Sequence, residues 1–305
     1  MRNLSSNRSW KRPTPLAALA LLLSAVVVWG CARSVPPAPA PDVAAAEKIR
    51  GGAGGAAAAG DTAAAAPTGE GWGDLAGTFV FDGAVPQLGA LATQGKDGAV
   101  CDVAPIPNQA IVVDSASNGI KNIVVYARKA PRVNEELAAA ASEVTFDQKQ
   151  CLFLSHVTGI QVGQNLKILN SDPIGHNTNI SPPADTGANV LLPGGGSADF
   201  KFSRQQDTPV AVQCNIHPWM KAYVLPRKDA YFAVTNEQGK FTISKLPAGE
   251  ELEFQLWQES AAGGPKGELV VPGLTDNKGR FKRTIPADGV LDLETISIPA
   301  AAFKL

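Results

Sequence analysis

From Trp72 onward the chain is a succession of short apolar runs, many alternating with polar positions and most ending at Gly, Pro, Asn or Asp. GTFVF (77–81), QAIVV (109–113) and NIVVYA (122–127) are rich in β-branched and aromatic residues, which predicts strands. VTF (144–146) and CLFL (151–154) follow. GIQVGQNLKILNSD then gives a long alternation that sets Ile160, Val162, Leu166 and Ile168 on one face, broken at Gly163 and Gln164. ADFKF (198–202), PVAVQC (209–214) and AYVLP (222–226) are the next strands. The tail repeats the rhythm in YFAVT (231–235), KFTI (240–243) and ELEFQLW (251–257), with Gly239 and Gly249 supplying turns. Weaker strands are expected at ELVV, RFKRTI and LDLETI. NEELAAAA (134–141) is the one helical candidate, and it reads equally well as a loop. The periodicity predicts an all-β protein whose tail is a second small sandwich.

The first thirty residues read as a signal peptide. Arg2, Arg8, Lys11 and Arg12 precede an apolar run from Leu16 to Trp29 that is short for a membrane span. Cys31 directly after Gly30 looks like a bacterial lipoprotein site; ordinary cleavage or an uncleaved anchor are the alternatives. Residues 31–71 form a low-complexity tether: VPPAPAP favours extended chain, and GGAGGAAAAG has no large side chain to bury. The expected location is the periplasm or cell envelope, membrane-tethered as a lipoprotein. The net charge of −1, with no basic run, argues against nucleic-acid binding.

The candidate chemistry is concentrated in CNIHPWM. Cys214, His217 and Met220 stand together there, and Met220 is the only methionine after the initiator. A thiolate, an imidazole and a thioether form a soft donor set suited to copper. His176, in NSDPIGHNTN, is one of only three histidines and completes a His2Cys set with Met220 as the weak axial ligand. Zinc would accept the cysteine and histidines, but a thioether is an unusual zinc ligand. Each residue also has a plainer reading: a packed histidine, a core methionine, a buried free thiol. His156, in FLSHV, is read as structural or exposed, with metal ligation as the alternative.

The cysteine count supports the metal. Setting Cys31 aside leaves Cys101, Cys151 and Cys214. In an oxidising compartment the simplest arrangement is a Cys101–Cys151 disulfide with Cys214 withheld as the metal thiolate. No CxxCH, CxxC, HExxH or GxSxG occurs, and one spare histidine is too few for a second, catalytic copper. The chain is therefore expected not to be an enzyme.

With these residues in view, the segment 143–226 resembles the cupredoxins, the blue-copper family of plastocyanin and azurin. The likeness is carried by NSD…HN and by the closing Cys–His–Met loop, with the CxxH spacing of plastocyanin. It implies a Greek-key β-sandwich, one type 1-like copper held by His176, Cys214, His217 and Met220, and one-electron exchange with redox proteins of the cell envelope such as cytochromes. It also implies that Asn177 ties its strand to the cysteine loop and that the edge of His217 is the electron exit. The HxxM spacing is shorter than in plastocyanin and is similar to the dinuclear copper loop of cytochrome oxidase. Val210 stands where that dinuclear site has a second cysteine, which leaves a mononuclear reading.

GTFVFDGAVP and GIKNIVVYA (119–127), with TNEQGKFTISKLPAGE (235–250), resemble the transthyretin-like sandwich of carboxypeptidase regulatory domains. These pieces flank the copper segment. The expected order is 72–142 as the first part of a transthyretin-like sandwich, 143–226 as an inserted cupredoxin domain and 227–305 as the second part. A linear order of separate domains is the alternative. The whole arrangement is similar to envelope proteins of planctomycete-type bacteria. A structural or protein- or glycan-binding module, with copper merely stabilising, is the competing function.

Overall fold

The alternation at the start of the folded region becomes the strand Trp72–Asp82, in which every second side chain is buried. A computed structural model describes residues 69–138 and 142–305, all within the compact unit Thr62–Leu305. The signal segment, Cys31 and nearly all of the expected tether lie outside the described residues.

The described chain is essentially all-β and divides among several sheets. Two of them are built by the segment 143–227. One has the strand order Ala188–Leu192, His176–Ile180, Val210–Gln213, Lys221–Arg227, Val157–Gln161; the other has Ser197–Phe200, Asn165–Asn170, Glu143–Lys149, Leu152–Phe153. Phe146, Leu166 and Ile168 from the second sheet share a buried cluster with Ile160, Ile180, Val212 and Val224 from the first. Two sheets closing on one apolar core is the arrangement of a β-sandwich, consistent with the cupredoxin-like fold expected here.

The flanking segments pair with each other. Trp72–Asp82 lies between Lys240–Pro247, antiparallel, and Val290–Pro299, parallel. Val124–Ala127 lies between Phe232–Val234 and Glu251–Trp257, which in turn pairs with Arg280–Thr284. Leu75, Phe79, Val125, Phe241, Phe254 and Ile298 belong to the core between these sheets.

All four residues of Val124–Ala127 are buried, because both faces of that strand are covered. Val125 and Ala127 face the flanking core, while Val124 and Tyr126 join Val157, Leu225 and Trp257 in a third cluster against the 143–227 sandwich. At that contact Gly159 lets Phe232 approach so closely that a Cβ would lie 2.1 Å from the ring. Arg227 is buried there as well. It donates to the carbonyls of Gln206, Ala127 and Arg128 and stacks its guanidinium over the Tyr126 ring.

Several expected elements differ. The long alternation of 159–172 is two strands in different sheets, because Gly163 (φ 89°) turns the chain between them. QAIVV contributes only Val112–Val113, and ELVV reaches the sheet only through a bridge from Glu268 to Trp257. The strand Ala188–Leu192 was not anticipated; it is an edge strand with little buried apolar surface to mark it. In place of a helix over 134–141 there is a 3₁₀ turn, Glu135–Leu137, capped by the Asn134 side chain on the Glu136 N–H; residues 139–141 lie outside the described residues.

Candidate metal centre

His176 opens the strand His176–Ile180, and Cys214 follows directly on its neighbour Val210–Gln213. The chain then turns through His217 and re-enters the sheet as Lys221–Arg227. The turn is closed by the Met220 N–H donating to the His217 carbonyl (2.9 Å) and the Cys214 N–H donating to the Met220 carbonyl (3.2 Å). Adjacent strands therefore bring the distant His176 beside the CNIHPWM loop. Ligand atoms of His176, Cys214 and His217 all lie within 4.8 Å of one another, and all three residues are buried. Met220 is fully buried in the same apolar cluster as Cys214.

Hydrogen bonds at the far edges of the imidazoles decide what the near edges can do. His176 Nε2 is 2.8 Å from Asp172 Oδ2, and His217 Nε2 is 2.8 Å from Asp97 Oδ2. Ionised carboxylates only accept, so each Nε2 carries the proton and each Nδ1 presents a lone pair. Those two Nδ1 atoms face each other at 2.9 Å, and Cys214 Sγ is 3.8 Å from His217 Nδ1. Two lone pairs at that distance repel. A proton between them would place an imidazolium in the interior, yet burial pushes His176 below the ordinary histidine value. A metal cation accepts both lone pairs and the thiolate together, so the donor set fits a soft or borderline metal ion.

The carboxylates are themselves anchored. Asp172 is buried and accepts from the backbone N–H groups of Gln150 (2.6 Å) and Cys151 (2.8 Å). Asp97 precedes the one-turn helix Gly98–Cys101, with a left-handed backbone (φ 50°). That helix is fastened to the sandwich by the Cys101–Cys151 disulfide, which leaves Cys214 as a free, buried cysteine. Cys101 and Ile106 are buried in the sandwich core, so part of the segment before residue 142 packs over the candidate ligand cluster.

Asn177 joins the strand to the cysteine loop, as the family likeness implied. Its Oδ1 accepts from the N–H groups of Asn215 (2.8 Å) and Ile216 (3.2 Å), and its own N–H points at Cys214 Sγ (3.5 Å). A second donor cluster, Cys151, Asp172 and His176, is committed elsewhere: its sulfur is in the disulfide and its carboxylate is taken by three donors.

One expectation is corrected. The edge of His217 is not an exposed exit: the residue is 0 % exposed, its Nε2 is covered by Asp97, and the Trp219 ring packs 5.1 Å from its own. The sequence reading missed both anchoring carboxylates. Asp172 had a local signal, four residues before His176 in NSDPIGH. Asp97 had none, since it reaches the site from far along the chain. His156 lies outside the cluster and pairs with Glu259.

No family model matches the chain, and no curated protein does. Among solved structures, part of the chain is similar to the Cu-containing nitrite reductase (NirK) from Thermus scotoductus SA-01, at 20 % identity over 28 % of this chain and 22 % of that one, with a TM-score of 0.26. It is also similar to mutant forms of amicyanin. One, in its reduced Cu(I) form at pH 4, is 15 % identical over 29 % of this chain and 85 % of that one, with a TM-score of 0.26. Another Cu(I) mutant is 12 % identical over 35 % of this chain and 99 % of that one, again with a TM-score of 0.26.

Proposed function

We propose that this chain is a cupredoxin-like protein that binds one copper ion through His176, Cys214 and His217, with Met220 as the axial ligand, and carries single electrons in the cell envelope. The observation that carries the reading is the pair of Nδ1 lone pairs 2.9 Å apart beside a buried free thiol, with both Nε2 atoms tied to carboxylates. A copper ion would supply the one-electron couple. The protein fixes both ring orientations and tautomers, keeps water out, and limits ligand movement between the two oxidation states. All four candidate ligands are buried, which favours a carrier over an enzyme that must admit a substrate to the metal. The partners would be redox proteins of the envelope such as cytochromes, reached from a membrane anchor at Cys31 through the tether.

Loading the purified protein with Cu(II) is expected to give an intense thiolate-to-copper band in the visible spectrum, lost in Cys214→Ser. A colourless protein, or a band that survives the substitution, rejects the reading. The buried edge of His217 favours a second reading, in which copper is structural and does not turn over. Protein-film voltammetry separates the two: a reversible one-electron wave belongs to the carrier and a silent metal to the structural module.

A further inference from the structure

A cleft of about 180 Å³ lies beside the metal cluster, and the proposed function does not use it. Pro218 and Trp219 form part of its wall; Leu91, Leu152, His156, Lys221 and Glu259 line it with the segment 107–110. Trp219 is half-buried, and its indole N–H donates to the Cys151 carbonyl (3.1 Å), which fixes the ring. Its centroid is 5.1 Å from that of His217, whose own ring is 4.6 Å from His176. Both imidazoles are 0 % exposed. Among the described residues, Trp219 is therefore the partly exposed aromatic ring in contact with the cluster.

The lining also carries proton acceptors. His156 Nε2 is hydrogen-bonded to Glu259 Oε1, and His156 Nδ1 is buried without a partner. The neighbouring Tyr223 hydroxyl keeps its proton: burial first, then the Glu259 charge, raises it above the ordinary phenol value. So the lining combines an aromatic surface, apolar side chains, a carboxylate–imidazole pair and Lys221. Its volume is that of a one-ring ligand, since cavities of about 150 Å³ hold benzene.

We propose that this cleft binds a single-ring hydroxyaromatic reductant of the hydroquinone or catechol class and passes its electron through Trp219 to the copper site. The inference rests on the copper reading and deepens it by naming the donor. One hydroxyl O–H bond breaks. Its proton goes to the Glu259–His156 pair, and its electron leaves through the Trp219 ring toward His217, where a bound cupric ion would accept it and become cuprous. The ligand leaves as a neutral aryloxyl radical. Two such radicals disproportionate to one quinone and one hydroquinone, so two cupric equivalents are consumed per quinone formed.

The first test uses metal-free protein and hydroquinone. In ¹H–¹⁵N spectra the Trp219 indole signal, assigned by its loss in Trp219→Leu, is expected to shift saturably; Leu152→Trp, which fills the cleft, is expected to remove the shift. The second test is anaerobic reduction of the cupric protein in a stopped-flow spectrometer. The rate is expected to saturate with hydroquinone, to lose saturation in Trp219→Leu, and to fall about 100-fold in Glu259→Gln. Reduction by hexacyanoferrate(II), which gives an electron and no proton, is expected not to fall in Glu259→Gln; an equal fall with both reductants would reject Glu259 as the proton acceptor. If the protein shows its thiolate-to-copper band but hydroquinone neither moves the Trp219 signal nor gives saturating rates, the cleft inference falls and the copper reading stands. If the band is missing, the copper reading and the electron step fall together, and the metal-free titration still reports whether the ring binds.

Discussion

Asp172→Asn is the sharpest single perturbation of the candidate metal centre. The parent carboxylate divides three acceptor roles between two oxygens: Oδ1 takes the Gln150 N–H at 2.6 Å, and Oδ2 takes the Cys151 N–H and His176 Nε2, each at 2.8 Å. Asparagine has one oxygen. With that oxygen in the Oδ2 place, the Gln150 N–H faces an NH2 group; turned over, the Cys151 N–H and His176 do. In the second orientation His176 is relieved by moving its proton to Nδ1, which aims an N–H where a ligand lone pair is needed. Leaving one buried donor unpaired costs about 1–3 kcal/mol, and the bonds that remain lose their charge assistance. The metal-free protein should therefore lose roughly 2–4 kcal/mol of stability. Removing such an anchor should weaken metal binding by about 10–100-fold, or about 1.4–2.7 kcal/mol. Urea unfolding of the metal-free protein reads the first figure, and competition with a calibrated copper chelator reads the second. A variant that matches the parent in both would refute the role given to Asp172.

Three further outcomes follow from the same geometry. The Cys101–Cys151 bond closes a separation of 50 residues, so replacing both cysteines by serine should cost about 4 kcal/mol on the chain-entropy scale, measurable as a lowered urea midpoint. Burial, reinforced by His217 and opposed by the Asp172 hydrogen bond, depresses His176 from an ordinary value of 6.5. The unfolded chain then takes up a proton that the folded metal-free chain resists; stability should fall as pH drops through that value and level off below the folded one, and thermal unfolding of His176→Gln should show a flatter profile. Asp97→Ala should release the far edge of His217 and weaken metal binding about 10–100-fold, while speeding electron exchange with a small soluble oxidant; unchanged exchange kinetics would mean that Asp97 does not seal that edge.

The sequence alone determined that the protein is all-β and that its candidate metal ligands are concentrated in CNIHPWM. Short β-branched runs with turn residues between them leave few alternatives, and soft donors three residues apart can meet through one turn of chain. It also pointed to Cys214 as the free thiol: three cysteines in the folded region leave one over, and Cys214 is the one beside His217 and Met220. His176 was legible as a ligand candidate through scarcity and family likeness, but its place beside Cys214 depends on which strands pair. Tertiary structure decided that pairing, since register and neighbour are set by contacts between segments far apart in the chain. It also decided the anchors. Asp97 meets His217 across a separation no local pattern encodes, held there by a disulfide and by Ile106 in the sandwich core. The same packing buried the His217 edge that the sequence reading left open. A pattern of apolar and polar residues states which side chains prefer the interior; which polar atoms they will meet there is settled only when distant strands close over them.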